Sequence, residues 1–129
     1  MSQPSLLIVD DEVGVRESLK IVFSKDYRLL EADSVEVAIQ KVQEERPEIV
    51  FLDILMPGAD GLKALMRIKE LNPNCEVIML TALNAERTAS IAKESGAFDY
   101  VVKPFDIEEL RLKVENALKK AISSSRPAM

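Results

Sequence analysis

The sequence predicts an α/β fold, a three-layer sandwich in which helices cover both faces of a parallel five-stranded sheet. Two observations lead to this prediction. Five short runs of aliphatic and β-branched residues recur along the 129-residue chain, and segments with the spacing of amphipathic helices separate them. Several runs are apolar without alternation, as expected for parallel strands buried on both faces. A strand followed by a helix is therefore repeated five times.

The five predicted strands are short and differ in character. The second mixes polar and apolar residues and suits an edge of the sheet, whereas the first, third and fourth suit its centre. The strands are Leu6 to Val9, Arg28 to Glu31, Ile49 to Asp53, Val77 to Thr81, and Tyr100 to Val102.

Capping residues and prolines mark the ends of the predicted helices. Ser34, Asp60 and Asp106 can cap the second, third and fifth helices. Pro47 and Pro73 end the second and third. Helical spacing is seen at Val15, Leu19, Val22 and Phe23, at Leu62, Leu65, Met66 and Lys69, and at Leu110, Val114, Ala117 and Leu118.

The domain organisation follows from length and from the composition of the tail. A chain of this size with 47% apolar residues is expected to form one core. We place one domain at residues 1–122. The polar run from Ser123 to Pro127 predicts a flexible tail or the start of a linker over residues 123–129.

The composition excludes several kinds of function. With 17 basic and 22 acidic residues, the chain has no basic run of the kind that binds nucleic acid, so we expect no direct contact with it. The absence of histidine removes His-based acid–base catalysis and His-containing zinc sites. A single cysteine, with no run of about 18 apolar residues, favours a cytoplasmic location without membrane insertion.

The sulfur-containing residues are interpreted as packing residues. Cys75 lies just before an apolar run, which is typical of a small core residue rather than a redox centre. The methionines Met56, Met66 and Met79 are likewise expected to fill the core.

Polar side chains follow four of the five predicted strands. In an open parallel sheet, ligands bind beyond the carboxyl ends of the strands. We therefore expect these side chains to meet at one edge. They are Asp10-Asp11-Glu12 after the first strand, Asp53 after the third, Thr81-Ala82 after the fourth and Lys103-Pro104 after the fifth.

These residue types point to magnesium-assisted phosphoryl transfer. Carboxylates brought close together repel one another unless a cation neutralises them, and Mg²⁺ prefers oxygen ligands. Asp10 and Asp11 would hold the metal together with Asp53 and the backbone carbonyl of Leu55. Calcium in an EF-hand is disfavoured, because the spaced aspartates of that loop are missing.

The remaining parts of such a site are also present. Asp53 is the natural carboxylate nucleophile. Thr81 can donate a hydrogen bond to a phosphoryl group, and Lys103 can pair with it as a point charge.

The ordered set of motifs resembles the receiver domains of two-component response regulators. The likeness extends over about residues 5–120 and is closest to receivers that precede an ATPase and a DNA-binding domain in enhancer-binding transcriptional regulators. The matching motifs are Leu7-Ile8-Val9-Asp10-Asp11-Glu12, Asp53-Ile54-Leu55-Met56-Pro57 with Asp60-Gly61, Thr81-Ala82, Gly96-Ala97-Phe98-Asp99-Tyr100 and Lys103-Pro104-Phe105.

The resemblance implies a fold, partners and a switch. The fold would be flavodoxin-like with strand order 2-1-3-4-5, as in the chemotaxis member of the family. A sensor histidine kinase or a phosphotransfer protein would phosphorylate Asp53, making the domain a signalling switch rather than an enzyme. Thr81 and Tyr100 would move on phosphorylation, and a cis peptide would join Lys103 to Pro104. The face of the fourth helix, fifth strand and fifth helix would pass the change to an output or to a second copy in a homodimer.

Two apolar residues predict a slow loss of phosphate. Leu55 lies two residues after Asp53, and Leu83 lies two residues after Thr81. Both would border the phosphorylated site. Branched apolar side chains there would hinder a hydrolytic water and offer it no hydrogen bond.

Two other families are considered and disfavoured. Aspartyl-phosphate hydrolases of the haloacid-dehalogenase type usually carry a second aspartate two residues after the nucleophile, where this chain has Leu55. Flavodoxins need a phosphate-binding loop after the first strand. The acidic residues Asp10-Asp11-Glu12 in that place would repel a phosphate.

Overall fold

The computed structural model describes residues 3–56, 58–82 and 86–125. Along these residues, five strands alternate with five helices, as the sequence predicts. The strands are β1 Ser5–Val9, β2 Arg28–Ala32, β3 Ile49–Asp53, β4 Glu76–Ala82 and β5 Asp99–Lys103. The helices are α1 Val13–Phe23, α2 Val35–Glu45, α3 Gly61–Leu71, α4 Glu86–Glu94 and α5 Ile107–Ser125.

The strands form one parallel sheet in the order β2-β1-β3-β4-β5. This confirms the flavodoxin-like order, and β2 lies at an edge as predicted. Asp53 on β3 pairs with Leu80 on β4, and Ala82 on β4 pairs with Lys103 on β5. Because parallel strands end at the same edge, the residues that follow β1, β3, β4 and β5 come together there.

Two apolar clusters fill the spaces on either side of the sheet. Along β1, Leu6 and Ile8 belong to the cluster that includes residues of α1 and α5. Leu7 and Val9 belong to the cluster that includes residues of α2, α3 and α4. Each central strand is therefore apolar on both faces, which confirms the three-layer sandwich and explains the lack of alternation.

The predicted caps begin their helices. Ser34 Oγ accepts the backbone N–H of Val37 at 3.3 Å, and Asp60 accepts two backbone N–H groups at the start of α3. Asp106 Oδ1 accepts the N–H of Glu109 at 3.1 Å. These bonds satisfy donors that have no partner within the helix. Helices α2 and α3 each end two residues before the proline that follows.

The prediction that all three methionines fill the core is wrong for Met66. Met56 and Met79 are buried, whereas Met66 on α3 is 47% exposed. Cys75 is buried as predicted, and burial raises the pKa of its thiol to about 11. The apolar stripe of α3 lies one residue earlier than the predicted one, so it turns Met66 outward. Its buried residues are Gly61, Ala64, Leu65 and Ile68.

Helix α5 is longer than predicted. It continues through Ser125, three residues beyond the predicted domain end at 122. The start of the predicted flexible tail is therefore helical, and residues 126–129 lie outside the described ranges. Ala121 is buried and packs the last turns against the fold, which outweighs the modest helix propensity of serine. Neither α5 nor any other described helix is long and apolar enough to cross a membrane.

Gly61 at the start of α3 is expected to tolerate no side chain. A Cβ atom there would lie 2.6 Å from the carbonyl oxygen of Ile54 and 2.9 Å from its Cα. Gly61→Ala must therefore displace backbone, and we expect it to lower the free energy of unfolding by about 1–3 kcal/mol. Denaturant titration measures this change.

Gly14 on α1 provides the matched control. A Cβ atom at Gly14 meets nothing within 4 Å. Gly14→Ala is therefore expected to stabilise the helix by up to about 1 kcal/mol. Equal effects of the two substitutions would contradict the close approach of α3 to Ile54.

Candidate functional site

Polar side chains from four strands lie together at the carboxyl edge of the sheet. Asp10 follows β1, Asp53 ends β3, Thr81 lies near the end of β4 and Lys103 ends β5. The first three are buried, and the Lys103 side chain is largely covered. The structure thus brings together the residues that the strand ends predict.

The carboxylates of Asp10 and Asp53 are held in the same way. One oxygen of each accepts a backbone N–H two residues further along the chain, from Glu12 at 2.9 Å and from Leu55 at 3.0 Å. The other oxygen of each faces Lys103, whose Nζ lies 2.9 Å from Asp10 Oδ2 and 3.5 Å from Asp53 Oδ2. Among the described residues, the Oδ2 atoms of Asp10 and Asp53 thus face the ammonium, whereas the Oδ1 atoms are held by the backbone.

The surroundings of Asp53 disfavour the charged form of its carboxyl group. Burial raises the pKa of its carboxyl from 3.8 to about 6, and the charge of Asp10 adds to this, against opposing effects of the Leu55 N–H and Lys103. Burial alone lowers the pKa of Lys103, but its contacts with Asp10 and Asp53 reverse the direction and raise it. Lys103 is thus a charged ammonium in the site.

The acidic residues fit a hard divalent cation. Asp10, Asp11 and Glu12 each offer one carboxylate oxygen, and these oxygens lie within 4.8 Å of one another. An all-oxygen set with two exposed members suits Mg²⁺, which keeps several waters. A cation there would also offset the repulsion between Asp10 and Asp53. Among the described residues, this cluster contains the predicted ligands Asp10 and Asp11 together with Glu12, and it does not include the predicted ligand Asp53.

The hydroxyl of Thr81 has a local partner in this structure. Thr81 Oγ1 donates to the carbonyl oxygen of Ala82 at 3.0 Å. Thr81 lies one residue beyond Leu80, the β4 partner of Asp53. Thr81 is therefore near Asp53 in the sheet, and its hydroxyl is bonded within its own strand.

The other predicted residues lie around the site or further along β5. Leu55 is 72% exposed, and Leu83 lies outside the described residues. Tyr100 on β5 is partly buried against the cluster that includes α4. The peptide between Lys103 and Pro104 is cis, which confirms that prediction.

A family model described as the response regulator receiver domain matches residues 6–115. This match covers most of the chain. The chain belongs to this family. Receiver domains are signalling modules of two-component systems that interact with histidine kinases and phosphotransfer proteins, and they bind Mg²⁺ at an acidic pocket.

Similar proteins include both short and long regulators. This receiver domain is 40% identical over 119 residues to sporulation initiation phosphotransferase F of Bacillus subtilis, covering 92% of this chain and 96% of that protein. It is 40% identical over 114 residues to the regulatory protein AtoC of Escherichia coli, covering 88% of this chain but 25% of AtoC. The solved receiver domain of NtrX from Brucella abortus has a TM-score of 0.84 at 34% identity, with 88% of this chain and 98% of that one covered.

Sequence reasoning missed Arg16, which supports the acidic loop of the receiver domain. Its Nη1 donates to the carbonyl oxygen of Asp10 at 2.7 Å, and its Nε contacts Glu31 Oε1 at 3.2 Å. Arg16 thereby joins the loop after β1 to the edge strand β2. The feature of the sequence that could have revealed Arg16 is its place in the first turn of α1. The helix dipole disfavours a cation near the start of a helix, so a cation there indicates a stabilising contact elsewhere.

Proposed function

We propose that this receiver domain accepts a phosphoryl group on Asp53, with Mg²⁺ at the acidic cluster, and passes the change to a downstream output. The observation that carries the proposal is the placement of Lys103 Nζ within 2.9 Å of Asp10 Oδ2 and 3.5 Å of Asp53 Oδ2. One ammonium thus stands where negative charge would develop during phosphoryl transfer.

The donor is a phosphohistidine of a sensor histidine kinase or of a phosphotransfer protein. Asp53 Oδ2 attacks the phosphorus, a P–O bond forms, the P–N bond breaks, and its electron pair stays on the imidazole nitrogen. Asp10, Asp11 and the carbonyl of Leu55 would hold the metal together with Asp53, and the metal would supply positive charge that lowers the repulsion between carboxylate and phosphoryl oxygens. Lys103 pairs with another phosphoryl oxygen.

Thr81 and Tyr100 form the switch in this proposal. Thr81 leaves its bond with the Ala82 carbonyl and donates to the phosphoryl group, and Tyr100 changes the position of its ring. The face of α4, β5 and α5 then presents the altered surface to an output or to a second copy of the chain. This switching mechanism requires neither the closure of a domain nor a second substrate site.

Phosphoryl uptake from a small donor tests the proposal. Intact-protein mass spectrometry after incubation with acetyl phosphate and Mg²⁺ is expected to show one added phosphoryl group per chain. A chelator in place of Mg²⁺ is expected to prevent the addition, because the carboxylates then repel the donor. Sustained turnover of p-nitrophenyl phosphate would instead support the hydrolase alternative, although exposed Leu55 has no proton to give to a leaving group.

The phosphorylated state is expected to be long-lived. Leu55 and Leu83 would cover the acyl phosphate with apolar groups that neither admit nor orient a water. Leu55→Asn combined with Leu83→Glu is expected to speed the loss of phosphate by about tenfold or more, which corresponds to about 1.4 kcal/mol in the barrier. Release of inorganic phosphate after removal of the donor gives both rates.

A matched substitution controls for surface changes. Leu112→Asn alters a leucine on α5 that is similarly exposed and should leave the rate unchanged. Loss of phosphate from the unchanged domain within seconds, or no acceleration by the paired substitutions, would contradict this role of the two leucines.

A further inference from the structure

Two lysines that come from different helices lie close to the ring of Tyr100 on β5. The ammonium of Lys113 on α5 lies 5.3 Å from the ring centroid, and that of Lys93 on α4 lies 5.8 Å from it. Both distances fall within the range of about 6 Å in which a cation is attracted to an aromatic face. Each lysine therefore stabilises the ring in the position that it occupies here.

Asp99 fixes both lysines and the backbone of Tyr100. Its Oδ1 lies 3.5 Å from Lys93 Nζ, and its Oδ2 lies 3.5 Å from Lys113 Nζ. Asp99 Oδ1 also accepts the backbone N–H of Tyr100 at 2.8 Å. One carboxylate thus holds the two cations against the ring of the neighbouring residue.

Lys113 is the more strongly held of the two lysines. Its Nζ donates to the backbone carbonyl of Tyr100 at 2.6 Å and lies 3.2 Å from Glu109 Oε1. Its side chain is 22% exposed, whereas that of Lys93 is 52% exposed. Because a cation gains more from an aromatic ring when it is less hydrated, Lys113 is expected to contribute more than Lys93.

We propose that Lys93, Asp99 and Lys113 form a latch that holds the Tyr100 ring in this position and sets how readily the domain switches. The proposal rests on the role of Tyr100 as a switch residue proposed above. A ring that leaves this position loses both cation contacts. Each lysine therefore biases the equilibrium between ring positions by about two- to fivefold. The three residues are positioning residues, because they act through Tyr100.

Fluorine NMR of protein labelled with 3-fluorotyrosine tests the latch directly. The chain has two tyrosines, and Tyr27, which packs edge-on against Phe23 in the core, serves as the internal reference. Lys113→Met is expected to move the Tyr100 resonance from its original position, and Lys93→Met to move it in the same direction by less. A sample with Mg²⁺ and beryllofluoride, which mimics the phosphoryl group, gives the position of the Tyr100 resonance in the switched state.

Two controls separate the ring contacts from other effects. Lys113→Arg keeps the cation and should retain most of the original resonance position. Lys119→Met removes an exposed lysine from the same helix and should leave Tyr100 unchanged. Lys93 donates no hydrogen bond to the Tyr100 backbone among the described residues and reaches that backbone only through Asp99. A shift with Lys93→Met is therefore not caused by loss of the Lys113 bond to the Tyr100 carbonyl.

The outcomes distinguish the latch from the switch. A Tyr100 resonance that stays in place in both Lys113→Met and Lys93→Met, with Tyr27 also unmoved, would overturn the latch. Movement in Lys113→Met alone would also overturn it, because the backbone bond then accounts for the effect. If both variants move Tyr100 but beryllofluoride does not, the latch stands and the switching role of Tyr100 is wrong.

Discussion

Asp53→Asn is expected to take up no phosphoryl group from a small donor, whatever the concentration of Mg²⁺. The amide has almost the shape of the carboxylate and can still accept the Leu55 N–H through its oxygen. It lacks the anionic oxygen that faces Lys103 at 3.5 Å, so it cannot form an acyl phosphate. Mass spectrometry of the intact protein measures the loss.

Asp26→Asn is the matched control for this substitution. Asp26 is exposed in the turn after α1, away from the carboxyl edge of the sheet, and its variant should be phosphorylated normally. Uptake by Asp53→Asn equal to that of the Asp26 variant would show that another residue accepts the phosphate.

The same Asp53→Asn variant is expected to be more stable than the original protein at neutral pH. Burial holds the pKa of Asp53 at about 6 in the folded state, against an ordinary value of 3.8. Folding therefore favours the protonated carboxyl, and this contribution is complete below about pH 4 and is lost as the pH rises through 6. The free energy of unfolding of Asp53→Asn is therefore expected to exceed that of the original protein by about 1–3 kcal/mol above pH 7, and by close to zero below pH 4.

Denaturant titrations at several pH values test the direction of this change in stability. The stability difference between the two proteins should grow as the pH rises from 4 to 7 in the absence of Mg²⁺. A stability difference that is independent of pH, or that favours the original protein at pH 7, would mean that the site does not destabilise the charged carboxylate of Asp53. A stabilised variant also shows that lost phosphorylation is not caused by misfolding.

Lys103→Met is expected to slow phosphoryl uptake by about 10²–10³-fold, the usual effect of removing one positioned donor to a charged transition state. Methionine keeps the length of the side chain and removes its ammonium. The magnesium affinity should be retained or increased, because Lys103 Nζ no longer competes for Asp10 Oδ2 at 2.9 Å. Initial rates with acetyl phosphate and calorimetric titration with Mg²⁺ measure the two effects separately.

Lys63→Met on α3 controls for the loss of a positive charge, because Lys63 is exposed. Its uptake rate should match that of the original protein. A Lys103→Met rate within about threefold of the original would remove Lys103 from the transfer step, and a large fall in Mg²⁺ affinity would make its role structural instead.

The strands and the helix caps could be predicted because their signals are local, whereas the order of the strands in the sheet was implied by the resemblance to receiver domains. The unbroken apolar runs of β1 and β3 indicate burial on both faces, and Asp60 caps α3 through its own neighbours. The buried stripe of α3 was predicted one residue too late. It begins at Gly61, whose burial depends on the approach of Ile54, a contact that apolar spacing does not reveal.

The residues at the strand ends could be predicted for a similar reason. Parallel topology alone brings Asp10, Asp53 and Lys103 to one edge. Supporting residues were not found, because their roles depend on distances between separate elements. Lys113 lies 13 residues from Tyr100 in the chain and donates to its carbonyl only when α5 packs beside β5.

Chemical location of the phosphate tests the central proposal most directly. Borohydride reduces an aspartyl phosphate to homoserine, and peptide mass spectrometry then identifies the modified position. After incubation with acetyl phosphate and Mg²⁺, we expect homoserine at position 53 and at no other aspartate, with none formed when a chelator replaces Mg²⁺. Modification at Asp10 or Asp11, or equal modification of Asp53 without metal, would contradict magnesium-dependent phosphorylation of Asp53.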